Sequence, residues 1–200
     1  MATEAMTAAS RPAWHPLPDG TDHAALAVLP PATLLNLRGR PRDAGFLDAV
    51  AAAMGVRPPL EANRRQVGEA GAAAWWLGPD EWLLTAPDGK AAPLERAIRD
   101  ARGDDPWLAV TDVSHTYTGL ALTGPLAREA LSAGCALDLH ARAFAPDACA
   151  QTMLAKARVM LALTDDRPCF EILVRNSFAR YLAGWLADAL RLVEDAGKPL

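Results

Sequence analysis

The sequence predicts an α+β fold in which mostly antiparallel sheets are covered by helices. Residues 107–140 indicate a strand, a turn and a helix, because an alternating apolar run ends at Gly124-Pro125 and gives way to a 3.6-residue period. Hairpins flanked by helices occur on both sides of this segment, which favours antiparallel pairing. The same order of elements is also predicted twice along the chain, which suggests a duplicated unit.

The first predicted pass of strand, helix, hairpin and helix lies in residues 24–105. Thr33–Arg38 is predicted as its first strand, which Gly39-Arg40-Pro41 ends. Apolar residues at three- and four-residue steps then predict an amphipathic helix from Phe46 to Met54, closed by Gly55. The remaining predicted elements are strands at 64–67, 73–77 and 82–85, a turn at 78–81 and a second helix around 94–98.

The second predicted pass lies in residues 106–193. Its first strand is Tyr117–Leu122, and Pro125 is placed at the first position of the following helix, where a missing amide costs nothing. Gly134 is predicted to close that helix with a positive φ. The remaining predicted elements are a long strand Met153–Leu163, a turn at 165–168, a strand at 170–174 and a helix at 177–193 with the apolar face Phe178, Tyr181, Leu182, Trp185, Leu186, Ala189 and Leu190.

The spacing of landmarks supports a duplicated strand-helix-hairpin-helix unit. Gly39 and Gly124 lie 85 residues apart, and Trp82 and Phe170, which begin the two return strands, lie 88 apart. We therefore predict a flexible lead at 1–22, one domain at 23–193 made of two similar halves, about 24–105 and 106–193, and a tail at 194–200.

Composition excludes several classes of function. With 51% hydrophobic and 22% charged residues, the chain is predicted to be globular. A net charge of −4 argues against nucleic acid or an anionic membrane as the partner. The three cysteines, Cys135, Cys149 and Cys169, form no CxxC pair, so we expect small hydrophobes in a reducing cytoplasm, with no zinc site and no disulfide framework. No secretory signal or membrane-spanning run is predicted.

Motifs for chemistry are scarce. The sequence has no GxGxxG after a strand, no GxxxxGK[ST] and no HExxH. Asp112, Ser114 and His115 suggest a catalytic triad, but residues so close in sequence seldom have its geometry, and we expect Asp112 and Ser114 to bond the backbone at a bend. His140 follows Asp138 without the spaced cluster that a metal site needs. No catalytic, cofactor-binding or metal residue is therefore predicted.

Three tryptophans lie in the first hairpin. Trp75, Trp76 and Trp82 could stack on a ligand, although aromatic residues on the inner face of a hairpin are more often core. Alternation places Trp75 and Trp76 on opposite faces of one strand, so one of them needs a second burial partner, either a helix or another protein.

Segments of this chain resemble a known family. Asp112–Leu131 is similar to the early strand-turn-helix of the glycine-cleavage T-protein, or aminomethyltransferase, superfamily. Together with Leu77–Leu84 (LGPDEWLL), Gly134–His140 (GCALDLH) and Arg175–Leu182 (RNSFARYL), it more closely resembles the gamma subunit of heterotetrameric sarcosine oxidase. The resemblance covers about residues 24–193.

This resemblance implies a noncatalytic assembly subunit with an aminomethyltransferase folate-binding-like fold. Enzymes of the family demethylate sarcosine to glycine and produce hydrogen peroxide with 5,10-methylenetetrahydrofolate or formaldehyde. FAD, FMN and NAD are implied on the alpha and beta subunits, zinc on the delta subunit, and tetrahydrofolate as the one-carbon acceptor. The acidic residue of aminomethyltransferases has no counterpart at 154–158, where Lys156 and Arg158 stand among apolar residues.

Three hypotheses of function therefore remain. The chain is a noncatalytic subunit that assembles with alpha, beta and delta subunits in the cytoplasm, a free-standing folate-binding aminomethyltransferase-like protein, or an unrelated scaffold with a similar plan. LGPDEWLL and GCALDLH favour the first, as does the missing acid.

Overall fold

The computed structural model describes residues 24–68, 71–165 and 168–196. Within these ranges the chain forms two five-stranded sheets and four α-helices, which confirms the predicted α+β class. The strands are β1 (Ala25–Val28), β2 (Ala32–Arg38), β3 (Arg65–Val67), β4 (Ala73–Gly78), β5 (Glu81–Pro87), β6 (Ala109–Asp112), β7 (Tyr117–Thr123), β8 (Cys149–Leu154), β9 (Ala157–Asp165) and β10 (Cys169–Arg175). The helices are α1 (Ala44–Met54), α2 (Ala91–Arg102), α3 (Ala127–Ser132) and α4 (Asn176–Ala196).

One compact unit contains, of the described residues, 32–68, 71–116 and 147–151. Its sheet has the order β3-β4-β5-β2-β6, with antiparallel pairing between all neighbours. One face of the sheet packs on α1 and α2, where the fully buried residues include Leu35, Phe46, Trp82 and Ile98. The rings of Phe46 and Trp82 lie 5.7 Å apart between centroids.

The ends of α1 confirm the predicted first helix. The Asp43 carboxylate accepts a hydrogen bond from the Phe46 N–H at 3.1 Å, which satisfies a donor of the first turn. Gly55 adopts φ 69° and donates to the Ala51 carbonyl, as a left-handed C-cap does. The hairpin of β4 and β5 also lies where its turn residues predict it.

The other compact unit contains, of the described residues, 24–31, 117–146, 152–165 and 168–196. Its sheet has the order β1-β7-β10-β9-β8, and α4 packs on β10, β7 and β1. Leu182, Leu186, Ala189 and Leu190 form the buried stripe of α4. The sequence-based boundary near residue 106 assigned β6 to the second half and β1 to the first, whereas β6 pairs with β2 and β1 pairs with β7.

The prediction of one long strand at Met153–Leu163 is wrong. The segment contains the end of β8, a turn at Ala155 and Lys156, and most of β9. Ala155 has φ 50°, and its N–H donates to the Gly134 carbonyl at 2.9 Å. An alanine in this conformation is uncommon, so neither composition nor periodicity indicated the turn.

Smaller differences concern element ends. The helix predicted to begin at Pro125 begins at Ala127, after Gly124 with φ 103°. Gly134 has no positive φ, so that prediction is wrong; the nearby Trp185 ring explains the glycine, because a Cβ there would lie 2.5 Å from it. Residues 194–196, predicted as part of the tail, belong to α4. The predicted lead at 1–22, the end of the tail at 197–200 and the centre of the predicted turn at 165–168 lie outside the described residues.

Candidate functional site

The bend after β6 holds the residues that suggested a triad. The Asp112 carboxylate accepts hydrogen bonds from the Ser114 hydroxyl at 2.5 Å and from the Ser114 N–H at 2.9 Å. These bonds hold the pKa of Asp112 below its ordinary value, and the bond from the Ser114 hydroxyl contributes most to this lowering. The Ser114 Oγ in turn accepts from the Leu34 N–H at 2.9 Å. The hydroxyl proton therefore points at a carboxylate, where a catalytic serine would direct it to an imidazole.

This bend acts as a cap on the β2–β6 ladder. The last register pair joins Leu35 to Asp112, and the Val113 N–H then donates to the Leu34 carbonyl at 2.9 Å. Ser114 adds the matching bond to the Leu34 N–H, so a side chain continues the ladder past the end of the strand. His115 is exposed on the short 3₁₀ turn Ser114–Thr116. The expectation that Asp112 and Ser114 bond the backbone is confirmed.

The GCALDLH segment lines a cleft of about 420 Å³. The Asp138 carboxylate accepts from the His140 N–H at 3.0 Å, and this bond is the main reason that the pKa of Asp138 is lowered. His140 Nδ1 accepts from the Arg142 N–H at 3.2 Å. Both side chains thus make the local bonds of a turn. The lining residues are Arg128, Glu129, Ser132, Leu137, Asp138, Leu139, His140 and Ala141.

Arg128 fixes the segment beside this cleft. Its guanidinium donates to the carbonyls of Leu139 and Phe144, the second at 3.2 Å, and lies over the Phe170 ring at 5.4 Å. Phe144 stacks on Phe170 with 6.3 Å between centroids. The cation therefore satisfies backbone carbonyls of the chain itself, which is a structural role.

A second cleft, of about 450 Å³, was missed by the sequence analysis. At its edge Trp107 is 63% exposed, and the Arg40 guanidinium lies 5.6 Å from the centre of its ring. The Trp107 N–H donates to Asp105 at 3.0 Å, and Asp105 is held by Arg102 at 2.6 Å. The lining residues are Arg38, Gly39, Arg40, Pro41, Asp80, Pro106, Trp107, Leu108 and Ala109.

The tryptophans of the first hairpin are mainly structural. Trp82 is fully buried, and its indole N–H donates to the Pro59 carbonyl at 2.7 Å. Trp76 pairs with Trp82 across the strands and is half-buried, whereas Trp75 points to the other face and is 1% exposed. The opposite faces of Trp75 and Trp76 are thus confirmed, and the burial of Trp75 and Trp82 leaves them unable to stack on a ligand.

Metal-binding geometry is not found in the described part of the chain. Within residues 24–68, 71–165 and 168–196, no three His, Cys, Asp or Glu side chains are grouped so that they could hold a metal ion. Cys149 is buried against the Trp76 carbonyl, and burial raises the pKa of its thiol to about 11.

None of the helices in the described residues is both long and apolar enough to cross a bilayer.

Comparison with known proteins identifies the family. A sequence profile described as "Sarcosine oxidase, gamma subunit family" matches residues 38–191. The sarcosine oxidase subunit gamma of Corynebacterium sp. strain P-1 is 37% identical over 169 residues, covering 84% of this chain and 80% of that protein.

Solved structures agree with this result. A chain of the heterotetrameric sarcosine oxidase from Corynebacterium sp. U-96, in complex with pyrrole 2-carboxylate, superposes with a TM-score of 0.79 and 33% identity, covering 91% of this chain and 89% of that chain. Aspartate kinase from Synechocystis shows likeness of fold alone, with a TM-score of 0.50, 11% identity, and coverage of 92% of this chain and 29% of that chain. The chain belongs to the sarcosine oxidase gamma subunit family.

Proposed function

We propose that this chain is the noncatalytic gamma subunit of a flavin-dependent heterotetrameric sarcosine oxidase. The observation that carries the proposal is the superposition of 91% of the chain on a chain of such a heterotetramer. Its partners would be the alpha, beta and delta subunits, and its location the cytoplasm. The assembled enzyme would oxidatively demethylate sarcosine to glycine and form hydrogen peroxide.

The cofactors of this enzyme are proposed to reside on the other subunits. FAD, FMN and NAD would carry electrons and hydride, zinc would be held by the delta subunit, and tetrahydrofolate would accept the one-carbon unit as 5,10-methylenetetrahydrofolate, with formaldehyde released in its absence. In this chain the Asp112, Ser114 and Asp138 side chains are engaged in its own turns. That engagement supports the proposed noncatalytic role.

The transferase acid is also missing where the resemblance places it. Residues 154–158 contain the end of β8, the turn at Ala155 and Lys156 and the start of β9, and the sequence there is Leu-Ala-Lys-Ala-Arg. A segment with two cations and no carboxylate cannot supply the carboxyl group of an aminomethyltransferase as a general acid or base. This feature disfavours the free-standing transferase.

We further propose that the fold arose from a duplicated unit of the aminomethyltransferase folate-binding-like type. The sequence β2, α1, β3, β4, β5, α2 is matched by β7, α3, β8, β9, β10, α4, and each sheet places the equivalent strands in the same order. β6 would complete the first copy and β1 the second. The halves predicted at 24–105 and 106–193 would then contain the right elements except for these two outer strands. Each of the two strands would belong to the other half.

Co-expression tests the proposed function. The tagged chain should co-purify with the three other subunits of its host as a yellow complex that forms peroxide from sarcosine. The isolated chain should be colourless and inactive. A complex that does not form would contradict the subunit role, and a flavin band that survives dialysis of the isolated chain would contradict the noncatalytic role.

A folate-binding assay distinguishes the proposed subunit from the alternative, a free-standing folate-binding protein. Equilibrium dialysis of the isolated chain against tetrahydrofolate should show no saturable binding if the chain serves assembly. Saturable binding by a chain that fails to co-purify with a flavoprotein would favour the free-standing folate-binding protein.

A further inference from the structure

The start of α4 carries an exposed aromatic and cationic surface. We call it the α4 patch and define it as Tyr117, Arg175, Phe178, Arg180 and Tyr181. Phe178 is 43% exposed and Tyr181 is 39% exposed, and their rings meet edge to face with 6.3 Å between centroids. The Arg175 guanidinium lies over the Tyr117 ring at 4.8 Å.

The apolar stripe of α4 extends beyond the core of its own unit. Phe178, Leu182, Leu186 and Leu190 follow one another at steps of four residues and therefore share one face. The three leucines are fully buried, whereas Phe178 is not. The sequence predicted one broad apolar face, and the structure leaves Phe178 and Tyr181 at its start exposed. An uncovered continuation of a core stripe is typical of a surface that another chain covers.

The charges of the α4 patch indicate the chemistry of that chain. Arg175 and Arg180 are exposed, and neither has a carboxylate partner within the part of the chain that the structure describes. Farther along the same helix, Arg191 pairs with Asp188 at 2.9 Å. The patch is thus cationic on a chain whose net charge is −4. Aromatic residues and arginine are the types enriched at interface hot spots.

A second copy of this chain fits less well. In a two-fold dimer it would bring the same arginines face to face, which is unfavourable.

We infer that the α4 patch docks on an acidic surface with an apolar centre on a larger subunit of the oxidase. This inference rests on the proposed function. Phe178 and Tyr181 would fill the apolar centre, and Arg175 and Arg180 would pair with carboxylates of the partner at its edge. Desolvation of the two aromatic side chains would supply most of the affinity, and the arginines would set orientation and the association rate.

The test uses the full chain assembled with its co-expressed subunits. The double substitution Phe178→Ala with Tyr181→Ala should weaken assembly by about tenfold or more, as loss of an aromatic hot spot does. Leu192→Ala is the matched control, because Leu192 lies on the same helix and is 71% exposed. Arg180→Glu should weaken assembly most at low salt, whereas Arg191→Glu should have little effect. Circular dichroism of each isolated variant checks its fold.

Hydroxyl-radical footprinting gives a readout without mutation. Phe178 and Tyr181 should be reactive in the isolated chain and protected in the complex. Protection of both rings in an isolated monomer would show that another part of the chain covers the patch, and protection that depends on self-association would show a second copy; either result would overturn the inference.

The two proposals fail separately. If the wild-type chain forms no complex with the flavoprotein subunits, the proposed function fails. If it does, but the double variant assembles as well as Leu192→Ala, the inference about the α4 patch is wrong while the proposed function stands.

Discussion

Ser114→Ala decides between a structural and a catalytic role for the DVSH bend. The substitution removes the hydroxyl that donates to Asp112 at 2.5 Å and accepts from the Leu34 N–H at 2.9 Å. Leu34 is 4% exposed, so its N–H would lose its partner in a buried position. Asp112 is exposed and can exchange the lost bond for water.

The expected loss of stability follows from this asymmetry. A buried donor left unpaired costs about 1–3 kcal/mol, whereas an exposed acceptor costs little. The free energy of unfolding, measured by urea titration of the isolated chain, should therefore fall by about 1–3 kcal/mol. Sarcosine oxidation by the assembled enzyme should be nearly unchanged at a temperature where the variant is folded.

Two variants serve as controls. Ser132→Ala removes an exposed hydroxyl that bonds the Arg128 carbonyl in its own helix, and should change stability by less than about 0.5 kcal/mol. Ser114→Thr keeps a hydroxyl and should recover part of the loss. Equal stability of Ser114→Ala and Ser132→Ala would refute the structural reasoning, and a loss of about 10²-fold in turnover with folding intact would indicate catalysis.

Three further predictions concern packing, thiol chemistry and acid stability. Gly134→Ala places a Cβ 2.5 Å from the Trp185 ring and should lower the free energy of unfolding by about 1–3 kcal/mol; an unchanged Tm would contradict the close approach. Cys149 should be the slowest thiol to alkylate near pH 8, because a pKa raised from 9.0 to about 11 lowers its thiolate fraction about a hundredfold, and mass spectrometry of labelled peptides checks this. The hydrogen bond from Arg102 holds the pKa of Asp105 below 3.8, so its stabilisation is complete above that pH and is lost as the pH falls through the lowered value. Asp105→Asn should therefore be destabilised near neutral pH and approach the wild type in acid; a deficit independent of pH would contradict the ion pair.

Local signals explain the parts of the fold that were predicted correctly. The apolar period of α1 and its Gly55 cap lie close together in sequence, and so do the turn residues between β4 and β5. Short-range chemistry therefore specifies both elements. The division of one apolar run into β8 and β9 was missed because the turn uses Ala155 at φ 50° and contains no glycine, proline or asparagine.

Non-local contacts explain the rest. The Ser114 bond to Leu34 joins residues 80 positions apart, so sequence alone indicated a bend without its partner. The period of α4 indicated an apolar face but not that its buried part begins only at Leu182, which leaves Phe178 exposed. The positive φ predicted for Gly134 is wrong, and the distant Trp185 ring, which no local rule reveals, explains the glycine instead.

The most direct test of the subunit role is native mass spectrometry of the complex captured through a tag on this chain in its own host. The account predicts one assembly of four different chains that contains this chain once and carries flavin. Capture of this chain alone, or only with further copies of itself, would contradict the account.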